Sequence, residues 1–415
     1  MSGHLHAGVP PPVASPGPNP WLIAVTGMLA LAVAMGIGRF AFTPLLPMML
    51  RDGAISLQEG SWLATSNYLG YWLGALACML QPWVWRRLLG RPSFAMVRAV
   101  RWGLGLTVLL TLAMALNWPA AWPVLRFGAG VASALVFVYT SGWCLARLAA
   151  AGAPQLGGII YVGPGLGILV SGLLASVMVA QGVAAPTAWV VMGGLALLLT
   201  LCIWRQFRAS QPAAATAAAV LPAQNGRGAM AVLVLAYGLA GFGYIISATF
   251  LPVLARQALP NSAWQDLFWP LFGLAIAAGA LLTTRLPTHW DRRHLLMGGY
   301  LMQAVGVWLA LWLPSLAGFA LGSVLLGLPF TAISLFAMQE VRRVQPHSAH
   351  TYMGLLTAAY GLGQIAGPAL VGVILEHNPD VDTGFALALN AAAAALVLGV
   401  ALYAWLVRAA PLHRD

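Results

Sequence analysis

Residues 34–47 read Ala-Met-Gly-Ile-Gly-Arg-Phe-Ala-Phe-Thr-Pro-Leu-Leu-Pro. They lie inside an apolar run from Trp21 to Leu50, long enough to cross the ~30 Å hydrocarbon layer of a bilayer. Arg39 stands in the middle of that run, next to Gly38 and three residues after Gly36. Roughly 18 Å of helix separates it from Arg51 at 1.5 Å per residue. An ionised group at such depth is costly unless it faces a cavity or a partner. The two glycines would let a second helix or a ligand approach the backbone closely. One charge and two gaps therefore sit where a membrane helix ordinarily has neither.

The pattern returns without the charge. Gly241-Phe-Gly243-Tyr244 precedes Leu251-Pro252 as Gly36-Ile-Gly38-Arg39 precedes Leu46-Pro47, at a constant offset of about 205 residues. Repetition at half the chain length reads as a duplicated helix bundle, a common build of secondary transporters.

Composition sets the class. Of 415 residues, 60% are hydrophobic and 7% charged, where soluble domains carry about 25%. Apolar runs occur near 21–49, 61–82, 101–117, 120–147, 156–181, 187–204, 230–255, 264–286, 294–313, 315–339, 351–376 and 384–407. The expectation is an all-α polytopic membrane protein with twelve transmembrane helices. Asn117-Trp118-Pro119 and Pro314-Ser315 are read as tight turns between closely spaced helices.

Every basic residue is an arginine, and the formal net charge is +11. One set of alternate loops and tails holds Arg86, Arg87, Arg91, Arg98, Arg101, Arg147, Arg205, Arg208, Arg227, Arg285, Arg292, Arg293, Arg342, Arg343, Arg408 and Arg414; the other holds Arg51 and Arg256. That bias places the first set and both termini in the cytoplasm. The arginines form no continuous tract interleaved with aromatics, so nucleic acid is not an expected partner. Arg39 and Arg126 belong to neither set and lie within spans.

The expected domains are a disordered cytoplasmic tail at 1–20, a six-helix half at 21–204, a linker at 205–229, a second half at 230–407 and a short tail at 408–415. The linker includes Gln211-Pro-Ala-Ala-Ala-Thr-Ala-Ala-Ala, and its arginines could meet anionic lipid. Residues 1–20 lack the basic start of a signal peptide. His4 and His6 are too few to argue for metal. Cys78, Cys144 and Cys202 fall in apolar spans without the short spacings of a metal site and are read as buried thiols. No paired mid-membrane carboxylates and no nucleophile–base pattern suggest an enzyme, and no cofactor is expected.

Local motifs carry a family resemblance. They are Leu125-Arg126-Phe-Gly128-Ala-Gly130 in the fourth span, Gly163-Pro164-Gly165-x-Gly167 in the fifth, Gly367-Pro368 in the eleventh and Asp291-Arg292-Arg293 after the eighth. With twelve spans and a central linker, the chain resembles the major facilitator superfamily. The loop Gln81-Pro-Trp-Val-Trp-Arg-Arg-Leu-Leu-Gly-Arg keeps the arginines of its counterpart and lacks the acidic residue. Gly36 to Met49, Asn67-Tyr68-Leu69-Gly70-Tyr71-x-x-Gly74-Ala75 and Gly361-x-Gly363-Gln364-x-x-Gly367-Pro368 resemble the YbfB/YjiJ-type branch. The resemblance implies a transporter of a bacterial inner membrane. In it the first, fourth, seventh and tenth helices line a central cavity.

The candidate site follows. Arg39 reads as a substrate or counter-ion site, or as a structural group in an ion pair or bonded to helix carbonyls. Its fork suits carboxylate or phosphate, so a small organic anion is the favoured cargo. Efflux of an apolar or cationic compound is the alternative, and a non-transporting sensor is the alternative of another class. Arg126 is either an assistant in binding or structural. Tyr244, at the repeat position of Arg39, is read either as offering a hydroxyl from the other half or as interior packing. Asn67 and Tyr71 share a helix face. They and Gln364 are read either as cavity lining or as helix–helix bonds, and Tyr139 as cavity lining. Gly36, Gly38, Gly163, Pro164, Gly367 and Pro368 are assigned conformational roles. A coupling proton would need a titratable group in the membrane. The candidates are Asp266 and Glu340, the latter also read as a salt-bridge partner. A monomer needs no further assumption.

Overall fold

The computed structural model describes residues 19–90, 96–207, 227–260, 262, 264–287, 289–345, 349–378 and 380–409. Most of the expected tails at 1–20 and 408–415, and of the linker at 205–229, lies outside the described residues. So do His4, His6, Arg91, Arg208 and Arg414.

Among the described residues the chain is helical and has no strand. The first rod is composite: α1 (Pro20–Leu31), a π-helical turn (Ala32–Arg39) and α2 (Phe42–Arg51). There follow α3 (Leu57–Leu89), α4 (Met96–Ala113), α5 (Trp122–Ala150), α6 (Gly163–Ala180) and α7 (Ala185–Trp204). After residues 208–226 come α8 (Arg227–Ala258), α9 (Phe268–Thr283), α10 (Arg292–Trp312), α11 (Leu316–Gly327), α12 (Phe330–Val344), α13 (Ala349–His377) and α14 (Val381–Ala409). Among the described residues, 10 continuous rods are long and apolar enough to cross a membrane, α11 with α12 counting as one. Two more helices stand among them: α3, and the shorter apolar α9.

Several boundaries differ from expectation for identifiable reasons. The segment read as a loop at Gln81–Arg91 is helical as far as Leu89, where Gly90 closes α3 in the left-handed region at φ +58°. The same helix starts before residue 61, on a capping box between Ser56 and Glu59. Glu59 thus sits in its first turn. The tenth expected span is two helices, α11 and α12. The break falls at Pro329, which lacks the N–H a continuous helix needs. The expected turn before it is present: Ser315 caps α11 by accepting the Gly318 N–H at 3.2 Å. Cys78 and Cys144 are buried, but Cys202 is exposed on α7, because it falls on the face turned away from the helices α7 packs against.

The group α1–α7 and the group α8–α14 meet chiefly along two flanks, α3 on α13 and α6 on α9. The first rod crosses to the other group through α2, which packs on α8. Its α1 part packs on α5, α6 and α7 of its own group. Arg39 lies where the rod changes from one to the other.

Candidate functional site

The break in the first rod starts from a proline. Pro44 has no N–H, so Phe40 O has no donor four residues on. Thr43 N–H turns to Phe40 O instead, at 3.2 Å. That leaves the Arg39 carbonyl without a helix partner, in a π turn where Phe40 N–H reaches back to Met35 O at 3.0 Å. Arg126, from α5, answers this. Its Nη2 donates to Arg39 O at 3.0 Å and its Nη1 to Gly38 O at 3.4 Å. Its guanidinium lies 4.7 Å from the Phe42 ring centre. Arg126 is buried and holds the break closed. Asn67 extends the arrangement, donating through Nδ2 to Arg126 O at 2.8 Å. Ser133 Oγ holds the near end of the π turn, 2.7 Å from Ala34 O.

The break aims the Arg39 side chain away from its own rod. Arg39 is 3% exposed. Its Nη2 donates to Gln364 Oε1 at 2.6 Å, a bond from the first rod to α13. Gln364 Nε2 in turn donates to the Tyr244 hydroxyl at 2.5 Å. The two repeat-related residues, Arg39 and Tyr244, thus end on one glutamine. Tyr71 lies under the guanidinium at 3.9 Å to the ring centre, with Tyr68 at 5.0 Å and Phe40 at 5.1 Å. Such cation–π contacts attract a guanidinium more strongly where water is excluded. The Arg39 Nε is buried and has no hydrogen-bond partner among the described residues. No carboxylate occurs between Glu59 and Asp266 in the sequence. No ion pair of Arg39 occurs among the described residues.

A ring system continues beyond Gln364. Tyr244 stacks on Tyr360 at 5.8 Å and Tyr360 on Tyr237 at 4.6 Å, while Phe330 meets Tyr244 edge-on at 5.1 Å. Tyr237 donates to Ser334 Oγ at 2.8 Å. Sequence reading missed Tyr360 and Phe330. The available signal was Tyr360 lying four residues before Gln364, on the same face of a helix.

Of the other expected residues, Tyr139 lies apart, donating to Gln81 Oε1 at 3.3 Å between α5 and α3. Gly36 is a contact point: a Cβ there would stand 2.3 Å from the Gly167 Cα on α6. Gly163 lies similarly against Met28 O. Gly38 backs onto Thr107 and Gly367 onto Ile245. Gly163 and Pro164 mark the junction between a 3₁₀ segment, Pro154–Val162, and α6, whereas Pro368 lies inside continuous α13.

Neither candidate for proton coupling reaches Arg39's partners. Asp266, beyond the end of α8, pairs at 2.6 Å with Arg256 in its last turn. Glu340 pairs with Arg343 at 2.5 Å and stands 3.9 Å from Arg293. Arg293 is in turn held by Asp291 at 2.8 Å and donates to Leu406 O at 3.1 Å. The loop motif Asp291-Arg292-Arg293 therefore ties α10, α12 and α14 together. It borders a recess of about 320 Å³ lined also by His289, Trp290 and Gln339. Burial pushes the Asp291 carboxyl up, but the hydrogen bonds and charge of Arg293 outweigh it and hold the group below its ordinary 3.8. Asp52, at the far end of the first rod, behaves alike. Burial raises it, while the Ala185 N–H at 2.6 Å and Arg51 bring it below 3.8.

A family model described as an uncharacterised MFS-type transporter, YbfB, matches residues 31–404. No curated relative matches the chain. Among solved structures, a D-xylose–proton symporter superposes with a TM-score of 0.71 at 14% identity, over 92% of this chain and 97% of that one. The nucleoside transporter NupG gives 0.69 at 14%, over 93% and 98%. A bacterial homolog to the human lysosomal transporter Spinster, in an inward-facing and unoccupied conformation, gives 0.64 at 15%, over 95% and 98%. At these identities the likeness is one of fold.

Proposed function

The chain belongs to the YbfB-type family of major facilitator transporters, and from that premise we propose that it carries a small organic anion across a bacterial inner membrane by alternating access, with Arg39 as the anion site. It is a multi-pass membrane transporter and not an enzyme; the cargo and the site are the proposal. So is the architecture of twelve spans in two six-helix halves, divided at 205–229, with both termini cytoplasmic. That reading counts α3 and α9 as spans beside the ten longer rods, and takes its orientation from the arginine bias.

One observation carries the assignment of Arg39. A guanidinium 3% exposed has a neutral amide as its hydrogen-bond partner and an unpartnered Nε among the described residues. A buried cation held only by neutral groups is complemented by an anionic ligand. Arg126 is assigned a supporting role, because its terminal nitrogens already hold the carbonyls of Gly38 and Arg39. Asp266 and Glu340, each paired with an arginine, are not at the anion site. In this reading the charge that matters at mid-depth is that of Arg39.

The test is thermal unfolding of the detergent-purified protein against carboxylates, phosphates, sugars and lipophilic cations. A ligand at 100 times its Kd stabilises the folded state by about 2.7 kcal/mol. Small anions should raise the melting temperature of the wild type and leave that of Arg39→Ala unmoved. Stabilisation by lipophilic compounds alone would replace this reading with efflux.

A further inference from the structure

Among the described residues, the proposed anion site offers one cation to a ligand. Arg126 is engaged through both terminal nitrogens on the carbonyls of the first rod. What remains is the Arg39 guanidinium, and one positive charge is matched by one negative charge. A second negative charge at that depth would have no partner, and an unpaired buried charge is strongly disfavoured.

The surroundings indicate what kind of molecule carries the charge. Tyr71, Tyr68 and Phe40 enclose the guanidinium. Tyr244, Tyr360 and Tyr237 follow as a run of stacked rings directly beyond Gln364. Tyr71 and Tyr360 keep part of their surface exposed, whereas Tyr237 and Tyr244 are buried. Ring faces favour other rings, in offset stacks or edge to face. Tyr237 and Tyr244 already pack on Tyr360, so a flat aromatic body would meet the exposed parts of Tyr360 and Tyr71. A sugar would ask for many directed hydrogen bonds, and three of these five tyrosine hydroxyls are already committed: Tyr244 to Gln364, Tyr237 to Ser334 and Tyr68 to Thr249.

Gln364 completes the picture. Its Oε1 sits 2.6 Å from Arg39 Nη2, where one oxygen of a carboxylate would sit. An amide offers one such oxygen, and the buried Arg39 Nε is left without an acceptor. A carboxylate offers two and takes the arginine fork in a bidentate way. We infer that the substrate is an aromatic monocarboxylate that displaces Gln364 from Arg39, with its ring against the exposed parts of Tyr71 and Tyr360, and that Gln364 is a built-in stand-in for the carboxylate. The inference rests on the anion-transport reading and adds the ring, the single charge and the competitor.

Four probes and three variants separate these. Binding to the purified full-length protein is measured by calorimetry for benzoate, cyclohexanecarboxylate, phthalate and benzamide. Benzoate should bind. Cyclohexanecarboxylate, with the same charge and no π face, should bind about tenfold more weakly, the upper end of what a ring pair adds. Phthalate and benzamide should bind more weakly still. Gln364→Ala should bind benzoate at least as tightly as the wild type. Gln364→Glu should lose it, because an internal carboxylate then occupies Arg39. Benzoate binding undiminished in Arg39→Ala overturns the anion site itself. Binding lost in Arg39→Ala but equal for benzoate, cyclohexanecarboxylate and phthalate overturns only the aromatic monocarboxylate. Binding intact in a folded Gln364→Glu overturns the stand-in role. No binding of any probe to the wild type overturns the inference outright. The wild-type series needs no variant to fold.

Discussion

Arg39 and Tyr244 occupy equivalent places in a sequence repeat, and both are bonded to Gln364. The repeat and all three residues were legible in the sequence. Their meeting was not, because Gln364 is 325 positions from Arg39 and only the packing of α13 brings it there. Arg126 was legible as a buried charge and left two readings open. Its partners are main-chain carbonyls, which carry no residue-specific signal. At the ends of the rods the charges behave in a simpler way. Asp52 and Asp291 have folded values below their ordinary 3.8. Each therefore contributes stability that is fully present above the ordinary value and is lost as pH falls through the lower, folded one. The melting temperature should hold steady from neutral pH down to about 5 and fall below about pH 4. Asp52→Asn should lower it at neutral pH and flatten the acid limb, since its amide still accepts the Ala185 N–H but has no charge for Arg51. Unfolding curves of both proteins from about pH 7 down to about pH 3, a range that brackets the aspartate titration, check both expectations.

At the scale of the element, the two halves of the repeat diverge at one residue. Pro47 and Pro252 correspond, but Pro44 corresponds to Thr249. Accordingly α8 runs unbroken from Arg227 to Ala258, while the first rod is divided into α1, a π turn and α2. The apolar run 21–49 marked the rod; the π turn inside it was not legible, since one extra residue in a turn leaves hydrophobicity unchanged. Pro44 and Arg126 are coupled through the Arg39 carbonyl. Arg126→Met removes the donors to two buried carbonyls, and a buried polar group left unpaired costs about 1–3 kcal/mol. The variant should melt well below the wild type. Pro44→Ala restores an N–H for Phe40 O and releases the Thr43 N–H to Arg39 O. Added to Arg126→Met, it should therefore recover part of the loss, although the two side chains differ in helix and in chemistry. Equal melting of the single and double variants would detach Arg126 from the proline break.

Across the whole molecule, the two groups of helices are joined unevenly. The flanks α3–α13 and α6–α9 make the broadest contacts, while the first rod reaches the second group chiefly through α2. Thr43 Oγ1 approaches Ala248 O at 3.5 Å, and the Tyr68 hydroxyl meets Thr249 Oγ1 at 3.0 Å. Thr43 and Ala248 are themselves one repeat apart, so equivalent positions of the two groups face each other beyond Arg39, toward the Asp52 end. In the orientation proposed from the arginine bias that end is the outer one, and these contacts close it. Alternating access requires them to part once per cycle, by movement of one group against the other. They are few and weak for that purpose: hydroxyl bonds between neutral groups, each worth about 1 kcal/mol net, and no ion pair among the described residues links α2 to α8. A covalent tie should do what these bonds do not. With Cys78, Cys144 and Cys202 replaced, Thr43→Cys and Ala248→Cys joined by a short cleavable bifunctional reagent should stop flux in proteoliposomes, and cleaving the reagent should restore it. Binding measured in detergent should survive the tie, because Arg39 lies on the other side of it. Flux that continues through the tied protein would mean that the α2–α8 contact does not open during transport.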